Sequence, residues 1–144
     1  MSEASGVSVF LPGLLPSKWL SPNRGERRNG RVPEAISDAK RAMRGDVALG
    51  LLADDSVRAL TEPLDPVHVG LVLRWHKRTT DGRYRPEDAG NAIYALKAAI
   101  DGLIDAGIII DDGYKHVKML TGAIERCEAG AEGLLVMVTP VAPV

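Results

Sequence analysis

Apolar and polar positions alternate at both ends of the chain and follow a helical period in its middle. Val7, Val9 and Leu11 alternate with Ser8 and Phe10 and the run stops at Pro12, which predicts a strand over 7–12. Residues 13–32 lose that pattern. Gly13, Pro16, Pro22, Gly25 and Gly30 break them into a long loop, and long loops in compact domains are often functional. From Pro33 the period becomes 3.6, with Ala35, Ile36, Ala39, Met43, Val47, Leu51 and Leu52 in phase. Pro33 suits a first helical turn and Glu34 favours a helix N-terminus. Gly45 and Gly50 each weaken this helix by roughly 1 kcal/mol relative to Ala. Residues 57–66 read as a connection. Val67, Val69, Leu71 and Leu73 then predict a strand over 67–75, followed by a second long loop over 76–88. The clearest helix is 91–106, with Ile93, Leu96, Ile100, Leu103 and Ile104 on one stripe. Tyr94, Lys97, Asp101 and Asp105 lie along the opposite side, and Gly107 is the stop. Ile108, Ile109 and Ile110 predict a short strand, 115–126 another, 127–133 a turn and 134–141 a final strand. Residues 1–6 and 139–144 read as loose tails. The tally is one α+β domain over 1–144: a small mixed sheet of four to five strands and two main helices.

Composition narrows the class. The chain has 144 residues, of which 45% are apolar, enough for one real core. Two Trp, three Tyr and one Phe leave that core to Leu, Ile, Val and Ala. No apolar run reaches the length of a membrane span, and the N-terminus lacks the basic start and long apolar stretch of a signal peptide. A single cysteine, Cys127, excludes an internal disulfide and a cysteine zinc site. These features predict a soluble cytoplasmic protein with no membrane partner and a structural thiol.

Charge adds more than its sum suggests. A net charge of −1 argues against indiscriminate coating of nucleic acid. Yet Lys18, Arg24, Arg27, Arg28 and Arg31 crowd the first loop against Glu26 alone. Arg74, Lys77, Arg78, Arg83 and Arg85 crowd the second against Asp81 alone. The acids gather elsewhere, at Asp54, Asp55, Glu62 and Asp65, and at Asp101, Asp105, Asp111 and Asp112. Two readings stand: loops that grip phosphates beside a metal-binding acidic cluster, or loops that are merely solvated.

The pair Asp111–Asp112, directly after three isoleucines, is the sharpest candidate for chemistry. An ionised carboxylate is costly to bury unless paired or metal-bound, so the pair marks either an exposed turn or a ligand set. A helix of sixteen residues is about 24 Å long. The pair therefore nears Asp88 only if 108–110 runs back along the helix, and three strand residues cover about 10 Å of that return. Plainer readings exist for the neighbours. Lys97 and Asp101 fit an i, i+4 helix pair worth about 0.3–0.5 kcal/mol. His76 and His116 fit either proton transfer or simple solvation, and His68 a structural strand position. Trp19 and Trp75 flank the basic loops as lids over the core, or Trp19 as a platform for an unpaired base. The PNRGERRNGR loop is the best candidate for phosphate contact, since arginine binds phosphate oxygens in a fork.

The ordered run ALKAAIDGLIDAGIIIDD over 95–112 resembles the signature of RusA-like Holliday junction resolvases. That signature is a D-x-D-N stretch, a lysine-bearing helix ending D-x-L-x-x-A-G, a short apolar run and DD. Lys97, Asp101, Leu103, Ala106, Gly107, Asp111 and Asp112 fit in spacing, and Pro22 and Asn23 resemble the opening P-x-N element without its middle residue. The resemblance implies a homodimer of small α+β subunits that cleaves branched DNA at a four-way junction with Mg²⁺, or with Mn²⁺ in its place. It implies Asp88, Asp112 and Lys97 as catalytic residues and Asp88, Asp111, Asp112 and Glu87 as metal ligands. Lys18, Arg24, Arg27, Arg28, Arg31, Arg83 and Arg85 are the implied DNA contacts, with Asn91 and Asp101 in support. The chain departs from the pattern in one place: the best match to D-x-D-N is DAGN over 88–91, and Gly90 stands where the second aspartate belongs. A second register, with the aspartates at Asn91 and Ile93, loses both. Three outcomes stay open. Glu87 swings in; Asp101 or Asp111 completes the shell; or the chain holds junctions without cutting them. A dimeric structural protein with no DNA role is the remaining class.

Overall fold

The computed structural model describes residues 6–17, 20, 34–76 and 96–142. Its elements are β1 (Val7–Pro12), α1 (Glu34–Leu52), α2 (Asp55–Arg58), β2 (Val67–Trp75), α3 (Lys97–Asp105), β3 (Val117–Arg126) and β4 (Gly133–Pro140). The four strands form one mixed sheet in the order β1-β4-β2-β3. β4 is antiparallel to both β1 and β2, and β2 is parallel to β3. A parallel pair cannot be closed by a hairpin, and the crossover is made through α3.

Alternation in the sequence becomes one buried face. Val7, Val9 and Leu11, then Val67, Val69, Leu71 and Leu73, then Leu134, Val136 and Val138 all turn inward, each at most 5% exposed. Ile36, Met43, Val47 and Leu51 of α1, Leu96 at the N-cap of α3, and Ala99, Ile100 and Leu103 within α3 are buried as well. All of these except Ile36 join one core cluster. Ser8, Phe10, Val72, Arg74, Leu135, Met137 and Thr139 occupy the intervening positions and are half-buried or exposed. The result is an α+β domain. Among the described residues no helix is long and apolar enough to cross a membrane.

Four expectations change. The predicted strand over 108–110 is absent: these residues join no strand, and β2 is flanked by β4 and β3. Gly107, at φ 76°, closes α3 with a left-handed turn instead. Its N–H donates to Ile104 O at 3.0 Å and that of Ile108 to Leu103 O at 3.1 Å. Ile108 and Ile109 then drop into the core, 0% and 2% exposed, as irregular backbone. Second, the connection after α1 contains the four-residue α2, whose N-cap Asp54 accepts from Ser56 N at 2.9 Å. Third, Leu52 does not join the α1 stripe and lies exposed. Fourth, residues 139–141 are held rather than loose: β4 runs to Pro140, and Val141 N–H donates to Pro66 O at 2.9 Å. The predicted helix start at Asn91 lies outside the described residues.

Gly102 sits where α3 meets α1. A Cβ there would lie 2.8 Å from Val47 Cβ and 2.9 Å from Arg44 O, closer than packed atoms tolerate. Gly102→Ala gains helix propensity of about 1 kcal/mol, but overpacking of this kind costs about 1–3 kcal/mol. The variant is expected to unfold at lower urea concentration than the parent chain, read from the midpoint of the far-UV signal.

Candidate functional site

The Asp111–Asp112 pair lies in the segment that carries the chain from α3 to β3. Two backbone contacts pin this segment. Ile108 O accepts from Leu64 N at 2.8 Å before the pair, and His116 O accepts from Val67 N at 2.8 Å after it. Between them Gly113 O accepts from both His116 N and Val117 N at 2.9 Å, forming a tight turn. Both aspartates are exposed. Asp111 Oδ1 accepts from Asp112 N–H at 2.8 Å, which fixes one carboxylate against the backbone. Among the described residues neither makes an ion pair. Tyr114, 78% exposed, stands on the same turn with Lys118 Nζ 6.0 Å from its ring centre.

His116 is not a free solvated histidine. Its Nδ1 lies 2.8 Å from Asp65 Oδ1, with both side chains about one-third exposed. A carboxylate accepts, so Nδ1 carries the proton and Nε2 is left for another partner. His76 is likewise engaged: its Nδ1 donates to Cys127 O at 3.2 Å. Burial pushes the Cys127 thiol up, away from its reactive thiolate form. Trp75 is half-buried and carries the Arg126 guanidinium 5.6 Å from its ring centre.

Lys97 is exposed at the start of α3, and the aspartate pair follows that helix's other end. Nine helical residues separate the two by a rise of about 12 Å before the chain turns, so local geometry does not bring them together. The i, i+4 pair of Lys97 with Asp101 does not form. Asp101 is half-buried and sits within electrostatic reach of Arg44, whose pKa it helps to raise. Arg44 itself grips Asp105 in a fork, Nε to Oδ2 at 2.6 Å and Nη2 to Oδ1 at 2.8 Å. This pair joins α1 to α3 across 61 residues, and no local spacing announces it. Glu87, Asp88, Gly90, Asn91, Arg83 and Arg85 lie outside the described residues, as do Lys18, Trp19, Arg24, Arg27, Arg28 and Arg31. Among the described residues no three Asp, Glu, His or Cys side chains come together in a group able to hold a metal. Asp111 and Asp112 are hard oxygen donors of the kind Mg²⁺ takes, and two carboxylates alone fall short of its usual shell. No family model matches the chain, and no curated protein matches it.

The Arg44–Asp105 fork sets a pH response. The hydrogen bonds from Arg44 hold the Asp105 carboxyl below the usual carboxylate range, and the same contact raises Arg44. A depressed folded pKa contributes stability above the unfolded value of about 4, and that contribution is lost as pH falls through the folded value. Asp105→Asn is therefore expected to flatten the loss of stability below about pH 4. Denaturation midpoints of variant and parent chain across the acid range measure it. Both side chains are solvent-accessible, so added salt should shrink the difference.

Proposed function

We propose that the chain is a Mg²⁺-dependent, structure-selective endonuclease that cleaves phosphodiesters at four-way DNA junctions, acting as a homodimer. The observation that carries this reading is the Asp111–Asp112 pair: adjacent, exposed, without an ion pair among the described residues, and set on a turn pinned at both sides. Two neighbouring carboxylates repel each other, and a divalent cation relieves that repulsion. The ordered resemblance over 95–112 supports the same assignment.

In this reading Asp111 and Asp112 hold the ion together with Asp88 and, in the place of the aspartate that Gly90 lacks, Glu87. When bound, the ion supplies positive charge for the phosphoryl oxygens and eases deprotonation of the attacking water. Lys97 adds positive charge toward the phosphate. His116, its tautomer fixed by Asp65, offers Nε2 as a proton acceptor on the turn that follows the pair. Lys18, Arg24, Arg27, Arg28, Arg31, Arg83 and Arg85 grip the DNA backbone. Gly90 favours a second reading, a protein that binds junctions without cutting them, because one motif carboxylate is missing.

Incubation of a labelled synthetic four-way junction with Mg²⁺, then Mn²⁺, tests both. Paired symmetric nicks are expected. Asp112→Asn should lower the rate by on the order of 10²–10³, the usual cost of removing one group that stabilises developing charge. Salt-sensitive binding with no nicks in either metal selects the second reading. No affinity for the junction removes both. Replacing Arg24, Arg27 and Arg28 together with Ala should weaken binding and flatten its salt dependence, by up to about three in the log–log slope.

A further inference from the structure

The chain holds only two Trp, three Tyr and one Phe, and one of the tyrosines stands on the surface. Phe10 and Trp75 are half-buried, each beneath a guanidinium: Arg74 lies 5.2 Å and Arg126 5.6 Å from the ring centre. Tyr114 is 78% exposed, more than any other large apolar side chain among the described residues. Its backbone is nevertheless held. It lies inside the turn that Gly113 O closes by accepting from His116 N and Val117 N, both at 2.9 Å. The His116 carbonyl accepts from Val67 N, and its ring donates to Asp65. Binding through this ring therefore orders little more than two side-chain torsions. The surroundings are basic. Lys115 and Lys118 are exposed, and among the described residues neither joins an ion pair. Lys118 Nζ stands over one face of the Tyr114 ring.

We propose that Tyr114 stacks on an unpaired DNA base, with Lys115 and Lys118 on the phosphates beside it. This deepens the junction reading above and rests on it. Every base has a π face, so an aromatic ring accepts an unpaired base whatever its identity. In an intact duplex those faces are covered by the neighbouring pairs, and only base edges show in the grooves. A branch point, a fork or a strand end is where a face comes free. The ring thus reads the structure of the DNA, which a carboxylate-bound metal cannot do, because phosphodiesters carry no sequence or branch information. The two lysines offset the repulsion between a phosphate and the Asp111–Asp112 carboxylates. Tyr114 is two residues beyond Asp112, at most about 7 Å along the chain. A duplex strand rises roughly 3.4 Å per nucleotide. The stacked base therefore belongs to a nucleotide within a few positions of the phosphate at the carboxylates, and Tyr114 sets where the cut falls relative to the branch.

Titration of a synthetic four-way junction carrying 2-aminopurine at the branch point, beside a perfect duplex of the same length, tests it on the full chain. Ca²⁺ replaces Mg²⁺, and a gel checks that the strands stay intact. Tyr114→Ala should weaken junction binding about 5- to 150-fold and leave duplex binding unchanged. The bound probe should be brighter with that variant, which offers no ring to stack on. Tyr114→Phe keeps the ring and should bind like the parent chain. Replacing Lys115 and Lys118 together with Ala should weaken both DNAs and lower the salt slope by up to about two. Tyr114 is no part of the core cluster, and equal urea midpoints check that the variants fold. Junction binding that ignores Tyr114→Ala overturns the proposal. So does an equal loss on junction and duplex, or a Tyr114→Phe variant as weak as Tyr114→Ala. A ring-dependent junction affinity in a chain that nicks nothing in Mg²⁺ or Mn²⁺ supports the stacking and counts against the nuclease reading alone. Symmetric nicks by a chain whose binding ignores the ring do the reverse. No affinity for the junction overturns both.

Discussion

The parallel pairing of β2 with β3 is the constraint from which the rest of the architecture follows. β2 is nine residues long, so the chain must travel back roughly 30 Å before β3 can start beside it. α3 lies on that return path. Because the helix must lie on the sheet and against α1 at once, it is buried on two sides, and a glycine at position 102 is what the second contact requires. The same geometry delivers Asp111 and Asp112 to the beginning of β3 and leaves β3 at the rim of the sheet.

Side-chain charge is used in two ways along this framework. Where elements meet, it finds a partner: Arg44 with Asp105 between the helices, and Asp65 accepting from the His116 ring at the entry to β2 and β3. Arg74 and Glu125 sit opposite each other across β2 and β3, 3.5 Å apart, with the Arg74 guanidinium 5.2 Å from the centre of the Phe10 ring. Such partly exposed pairs contribute little singly. They register one element against the next. Asp111 and Asp112 stand apart from this pattern, since they hold no cation within the described residues and sit where the backbone is fixed on both sides. Asp111 accepts from the Asp112 backbone, and the Asp112 carboxylate lies exposed.

Much of this was legible in the sequence, and the exceptions have physical reasons. Alternation over 7–12, 67–75 and 134–141 and the stripe of α1 translate directly into buried faces, because burial on one side is what those periods encode. Ile108–Ile110 misleads, because three β-branched apolar residues in a row serve equally as strand or as core-filling coil. Sheet order decides, and that is a property of residues far away. α2 is too short to show a period, although Asp54 two residues before Ser56 is a readable cap. Gly102 reads as a weak point in a helix until Val47, from another element, is placed beside it. Within the candidate site, the pair itself and its exposure were legible. The partners of His116, Asp105 and Asp101 were not, since they are separated by about fifty residues or more.

The strand order also dictates when the sheet can form during synthesis. Among the described strands β4 is made last, and it is inserted between β1, made first, and β2. Val7 meets Val138, and until residues 133–140 leave the ribosome both β1 and β2 carry an edge with nothing to bind. The βαβ unit from β2 through α3 to β3 can assemble from nearby sequence, but β1 must wait for nearly the whole chain. From the completion of β2 until β4 follows, the nascent polypeptide therefore carries two apolar strand edges open, a state in which chaperone capture and aggregation compete with folding.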